Sequence, residues 1–170
     1  MKGQHLLKSQ SLMGETTRQR NAENDVKCHL AAETLRQSGK LRLQVMGWSM
    51  LPTIWPGDVL IIERAEAAAV SQGDIVLFGR EQRFFVHRIL KKAAQEPSRL
   101  LTQGDAMEAA DPPVEEHELL GKVSLIVRNG RCIQPKKKLS MYDRAVASLV
   151  RVSESGARVI VGLHGFVHNY

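Results

Sequence analysis

The chain has 170 residues, 43% of them hydrophobic and 25% charged, with a mean hydropathy of −0.23. One domain of this size holds a core without metal or disulfide staples, and the composition excludes a disordered tail, a collagen-like repeat and a cysteine-dense scaffold. Net charge is +6 but uneven: residues 1–40 carry 7 basic and 4 acidic groups, 41–130 carry 10 and 12, and 131–170 carry 7 and 2. Lys136, Lys137 and Lys138 lead the last segment. Basic ends on a near-neutral body suit an anionic membrane surface or an acidic partner about as well as nucleic acid, and a merely solvated basic face equally. No specific nucleic-acid contact is expected. No apolar run approaches the roughly 18 residues of a membrane span, and the first 21 residues hold no apolar signal core. A cytoplasmic protein, at most peripheral to a membrane, is the expectation. Cys28 and Cys132 then read as small half-buried thiols without a disulfide.

Residues 1–20 are polar and aperiodic, an arm held loosely if at all. Over 21–40, Val26, Leu30 and Leu35 recur at near-helical spacing, an Asn can cap the start, and Gly39 stands where a helix stops, which predicts an amphipathic helix over about 22–38. The body over 41–135 reads as β. LRLQVMG alternates from Leu41, VLIIE follows the turn at Pro56-Gly57-Asp58, and DIVLF follows Gly73-Asp74. RFFVHRIL, RLLTQ and GKVSLIVR continue the series, and Asn129-Gly130 joins the last of these to RCIQP by a two-residue hairpin signal. From Lys136 to residue 170 the pattern is helical and basic, with Met141, Ala145, Ala147, Leu149 and Val150 apolar. The fold class is therefore mainly β (α+β): an antiparallel body with an N-terminal helix and a C-terminal helical segment.

Three stretches carry candidate chemistry. Ser49 lies in Gly47-Trp48-Ser49-Met50-Leu51-Pro52-Thr53, where Pro52 stiffens the turn and preorganises the backbone around the hydroxyl. His87 lies in Phe84-Phe85-Val86-His87-Arg88-Ile89-Leu90, and strand parity puts it on one face with Phe85 and Ile89. A His so placed is more often a satisfied core residue than a base. Asp105 closes Leu101-Thr102-Gln103-Gly104-Asp105, and Asp111 follows before Pro112-Pro113. Each stretch alone is ordinary turn or core sequence.

Together, in this order, they resemble the signal peptidase I family of serine endopeptidases and its relatives, the LexA-type self-cleaving repressors. The Ser-Met-x-Pro-Thr box matches Ser49 to Thr53, the Pro-Gly-Asp turn Pro56 to Asp58, the Gly-Asp-Ile-Val strand start Gly73 to Val76, and the Thr-x-Gly-Asp box Thr102 to Asp105 with Asp111 beyond. The resemblance spans about residues 41–130. Most bacterial leader peptidases and the LexA-type proteins carry a Lys base. The archaeal and endoplasmic-reticulum branch carries a His in a Val-His-Arg context, as in Val86-His87-Arg88. The resemblance thus implies Ser49 as nucleophile, His87 as base and Asp111 as the aspartate completing the site, with Asp105 a supporting acid.

The chemistry agrees. A Ser hydroxyl needs a base, and an ordinary His, with a pKa of about 6.5, serves near neutral pH, whereas a Lys would need its pKa lowered by desolvation. The residues alone leave open whether Asp111 or Asp105 orients the imidazole. Two departures stand out. The family often has a hydroxyl residue two positions before the nucleophile as an oxyanion donor, and here it is Gly47. The membrane helix that normally precedes the nucleophile is not seen, which turns the expectation from exported preproteins toward the leader of a small precursor peptide, with small residues implied at the first and third positions before the cut.

Trp48, Met50 and Trp55 are candidate substrate contacts, an apolar lip beside the nucleophile, while Leu51 and Ile54 fit the core better. Glu115, Glu116 and Glu118 read as a solvated loop. His164 and His168 are four apart but lack a third ligand, so neither a metal nor any other cofactor is expected. The expected function is a serine endopeptidase acting on a leader or precursor peptide. The alternatives are a catalytically silent peptide- or membrane-binding module on the same fold, and a LexA-like self-cleaving regulator, for which no Ala-Gly or Cys-Gly cleavage site precedes the core.

Overall fold

The computed structural model describes residues 26–93 and 99–152. Residues 26–38 are helical (α1) and are followed by β1 (Lys40–Gln44), β2 (Val59–Arg64), β3 (Ile75–Arg80), β4 (Arg83–Lys92), β5 (Arg99–Gln103), β6 (Val114–Glu115), β7 (Leu119–Arg128), β8 (Arg131–Ile133) and α2 (Met141–Val152). The eight strands form one sheet in the order β1-β2-β7-β3-β4-β5-β6, with β8 on β7, and every pairing is antiparallel. The expected N-terminal arm, and the tail with His164 and His168, lie outside the described residues.

β3 explains why the sheet needs cover on both sides. Its run Ile75-Val76-Leu77-Phe78 is buried at every position. Alternate side chains of a strand point to opposite faces, so an unbroken apolar run feeds two cores. Ile75 and Leu77 join Leu60, Ile62, Val123, Ile126, Met50 and Ile54 in the first, with Leu35 of α1 packed in. Val76 and Phe78 join Ile89, Leu100, Val114 and Leu119 in the second. A third, smaller cluster of Leu51, Ala106 and Val150 docks α2 on the loops that follow β1 and β5.

The turns follow their residues. Asn129 and Gly130 have φ of 49° and 74°, the double left-handed conformation that a two-residue hairpin requires. β3 and β4 are joined in the same way by Glu81 and Gln82, with φ of 50° and 60°. Neither is glycine, so this turn costs about 1–2 kcal/mol per residue, held by the ladder of six residue pairs on either side.

The structure differs from the reading of the sequence at several places. β1 ends at Gln44 rather than running to Gly47, although Val45 still donates to the Asp58 carbonyl (2.9 Å). The C-terminal helix begins at Met141, not Lys136, because Ser140 caps it by exchanging hydrogen bonds with Asp143. β6, only two residues long, has too short a signature to be read. Cys132 is exposed rather than half-buried. Glu118 is not solvated but is gripped by Arg80.

Candidate active site

Ser49 sits in a tight turn after β1, where Leu51 donates to the Trp48 carbonyl and Ile54 to that of Met50, both at 3.0 Å. The Leu51–Pro52 bond is cis. The Ser49 carbonyl accepts a hydrogen bond from the Ala106 N–H at 2.8 Å, which ties this turn to the loop after β5. His87 is in β4, paired with Val76 of the doubly buried strand. It is 5% exposed, with the rings of Phe78 and Phe85 6.0 and 6.1 Å away, on the face that strand parity gave it. Asp111 lies beyond β5, its N–H bonded to the Thr102 carbonyl at 2.8 Å.

These three side chains meet. His87 Nε2 is 3.1 Å from Ser49 Oγ, and His87 Nδ1 is 2.7 Å from Asp111 Oδ2. The Thr102 hydroxyl donates to the same Asp111 oxygen at 2.6 Å. Burial opposes ionisation of Asp111. Hydrogen bonds from His87 and Thr102, with the positive fields of His87 and Arg80, outweigh it and hold the carboxyl below the ordinary carboxylate range. In the neutral form of the imidazole, an ionised Asp111 favours the tautomer with the proton on Nδ1, which leaves Nε2 as an acceptor facing the serine hydroxyl.

Asp105 is elsewhere. Its carboxylate takes a two-pronged grip from Arg88, Nε to Oδ1 and Nη2 to Oδ2, both at 2.8 Å, and the Thr53 hydroxyl. Arg88 also donates to the carbonyls of Gly73 (3.0 Å) and Lys136 (2.6 Å). Of the two acids the sequence left open, Asp111 is the one at the imidazole, and Asp105 pins the loops around it.

The substrate-contact candidates separate. Met50 is 3% exposed and packs into the first core, and it also lines the groove beside Ser49. Trp48 is 41% exposed. Trp55 is half-buried, its Nε1 donating to the Pro52 carbonyl at 2.7 Å and its ring beside the Arg128 guanidinium. Neither tryptophan lines the groove of about 260 Å³ that holds Ser49 and His87 in its wall. Leu43, Val45, Met50, Ile54, Phe84 and Val86 make that groove apolar.

Five residues had no role assigned from the sequence: Thr102, a donor to Asp111; Arg88, the partner of Asp105; Gly104, a spacer beneath His87; and Arg80 with Glu118, beside the Asp111 loop. Nearness across strands is invisible in one dimension, and the signal for Thr102, Gly104 and Arg88 was their place in the stretches that carry the family resemblance. Lys92, farther along β4, donates to the Ala67 carbonyl at 2.6 Å. Among the described residues no three His, Cys, Asp or Glu side chains cluster so as to hold a metal ion, and no helix is long and apolar enough to cross a membrane.

An antiparallel body that lines up a hydroxyl, an imidazole and a carboxylate beside an apolar groove is of the serine-peptidase kind. The comparison of families agrees: the peptidase S24-like family matches residues 7–124, and the chain belongs to that family. No curated protein matches the chain. β8 and α2 lie beyond the matched stretch.

Proposed function

We propose that the protein is a serine endopeptidase of the Ser–His branch that resembles signal peptidases, cleaving a leader or precursor peptide. The observation that carries this reading is the hydrogen-bonded line from Ser49 through His87 to Asp111 along the apolar groove. Ser49 Oγ attacks the scissile carbonyl while His87 Nε2 takes its proton. Asp111 holds Nδ1–H and stabilises the imidazolium. The imidazolium then protonates the leaving amine, and water, activated by the same imidazole, hydrolyses the acyl-enzyme. An extended peptide enters the groove as an added strand, with small residues favoured at the first and third positions before the cut. The substrate is a peptide or protein, and the basic segment led by Lys136 to Lys138 offers contact with an anionic membrane surface.

The test is incubation of the protein and of Ser49→Ala with pooled peptides bearing Ala-x-Ala-like sites, with and without anionic vesicles, and fragment analysis by mass spectrometry. Cleavage by the unaltered protein alone supports the reading. Absence of cleavage in both, with the peptides retained on the protein, supports the silent binding module instead. Gly47 favours that second reading, because the position supplies no side-chain donor for an oxyanion.

A further inference from the structure

The loop that carries Asp111 continues as Pro112-Pro113. Two successive prolines have no N–H, so this segment cannot fasten itself with backbone donors and presents only carbonyls. Both carbonyls point to one side chain. Arg80, the last residue of β3, donates from Nη1 to Pro112 O at 3.1 Å and from Nη2 to Pro113 O at 2.9 Å. The other edge of the guanidinium is held by Glu118, Nε to Oε1 at 2.6 Å and Nη2 to Oε2 at 2.5 Å. Glu118 is fixed in turn: it accepts from the Glu115 N–H at 2.9 Å in a capping box. The Phe78 ring lies 5.7 Å from the guanidinium carbon, and the two charged side chains are only 22% and 13% exposed. A planar fork of five N–H groups with a carboxylate on one edge and two carbonyls on the other has one orientation available to it.

We infer that Arg80, locked by Glu118, is a positioning residue that holds the Asp111 loop so that the Asp111 carboxylate meets His87 Nδ1. The clamp's role rests on the one proposed for Asp111, and its residues lie outside the Ser–His–Asp line and outside the stretches that carry the family resemblance. Thr102 fixes Asp111 from the β5 side, through its carbonyl and its hydroxyl, and Arg80 fixes the chain just beyond, so the carboxylate is held from both directions. The positive charge of Arg80 also acts on Asp111 in the direction that keeps it ionised. A lysine in its place keeps the charge but reaches one acceptor well, not four.

The test has two readouts. In the Ser49→Ala background, the His87 Nδ1–H proton bonded to Asp111 gives a low-field NMR signal. In the active protein, kcat and KM are measured on a cleaved peptide. Arg80→Gln is expected to broaden or abolish the signal and to lower kcat about 10- to 100-fold, the scale of a misplaced catalytic group, with KM within about twofold. Arg80→Lys falls between the two, and Glu118→Gln follows Arg80→Gln in direction. A folded Arg80→Gln that keeps both signal and kcat overturns the inference. Should Arg80→Gln fail to fold, an unchanged signal in Arg80→Lys overturns it. Loss of the signal in these variants, from a protein that cleaves nothing, leaves the clamp standing and removes the peptidase reading instead.

Discussion

Gly104 lies directly against His87. A methyl group on it would stand 3.1 Å from His87 Nε2, 2.6 Å from the Ser49 carbonyl oxygen and 2.7 Å from Met107 Cγ. The first two neighbours are the imidazole and the turn that carries Ser49, and a backbone carbonyl at that distance cannot step aside cheaply. Gly104→Ala is therefore expected to cost about 1–3 kcal/mol, as overpacking does. It is expected to lower kcat by about 100-fold or more by parting Ser49 from His87. Urea denaturation and peptide kinetics on the variant check both numbers. Full activity in Gly104→Ala would mean that the hydroxyl–imidazole contact is not used.

Gly47 is the opposite case, since nothing lies within 4 Å of a side chain placed there. Gly47→Ser is expected to leave stability within about 0.5 kcal/mol, as at other open surface positions. If the serine hydroxyl reaches the oxyanion, kcat rises on the order of tenfold or more, because losing one such donor costs about 10²–10³ elsewhere. Unchanged melting with unchanged kcat would place the oxyanion donors on the backbone.

Ser49→Ala and Asp111→Asn separate chemistry from folding. Ser49→Ala is expected to remove cleavage with a melting temperature close to that of the unaltered protein. Asp111→Asn cannot accept Nδ1–H as a carboxylate does and is expected to lower kcat about 10⁴-fold. Calorimetry beside single-turnover kinetics distinguishes these from general unfolding.

Asp105 and Arg88 behave otherwise. The pair is buried, with side chains 3% and 8% exposed, and removing one partner strands a charge. Asp105→Ala or Arg88→Met is expected to cost about 3–5 kcal/mol. The accompanying loss of activity should recover in part on cooling or with a stabilising osmolyte, which the loss in Ser49→Ala will not.

Acid sensitivity follows from the carboxylates. At Glu118, the Arg80 hydrogen bond holds the carboxyl below its ordinary range, with burial opposing and the Glu115 N–H assisting. Asp74 is depressed too: burial opposes ionisation, but the Ser71 N–H and the ammonium groups of Lys122 and Lys137 outweigh it. A depressed native pKa means the unfolded chain binds protons first. The stability these groups contribute is therefore complete above the unfolded carboxylate pKa of about 4 and is lost as pH falls through the lower native values. Urea midpoints should be level from pH 7 to about 5 and then decline, and Glu118→Gln should make the decline shallower. A slope unchanged by Glu118→Gln would mean that the Arg80 contact does not outlast solvent competition.

The strands were legible because alternation and turn chemistry are local. The apolar run of β3, the Asn129-Gly130 hairpin and the face of His87 all follow from spacing along the chain. The choice between Asp105 and Asp111 did not, since both follow the same strand and only the path of the loop decides which one turns toward the imidazole. The two-sided place of Met50 was hidden for a related reason: the turn at Trp48–Leu51 folds it inward, against the first core and the groove wall at once. The Arg80–Glu118 contact joins residues 38 apart in the chain through two hydrogen bonds, with two more from Arg80 to the Pro112 and Pro113 carbonyls, a pattern with no counterpart in periodicity or composition.

The double burial of β3 also sets which part of the site yields first. His87 is bonded into the ladder against Val76, a residue with no solvent on either face, so its amide should be among the slowest in the molecule to exchange with deuterium. Ser49 and Asp111 hang from loops at either side. On warming, the imidazole is expected to stay in place while the hydroxyl and the carboxylate drift from it, so that cleavage should be lost at a temperature where most of the sheet's amides remain protected.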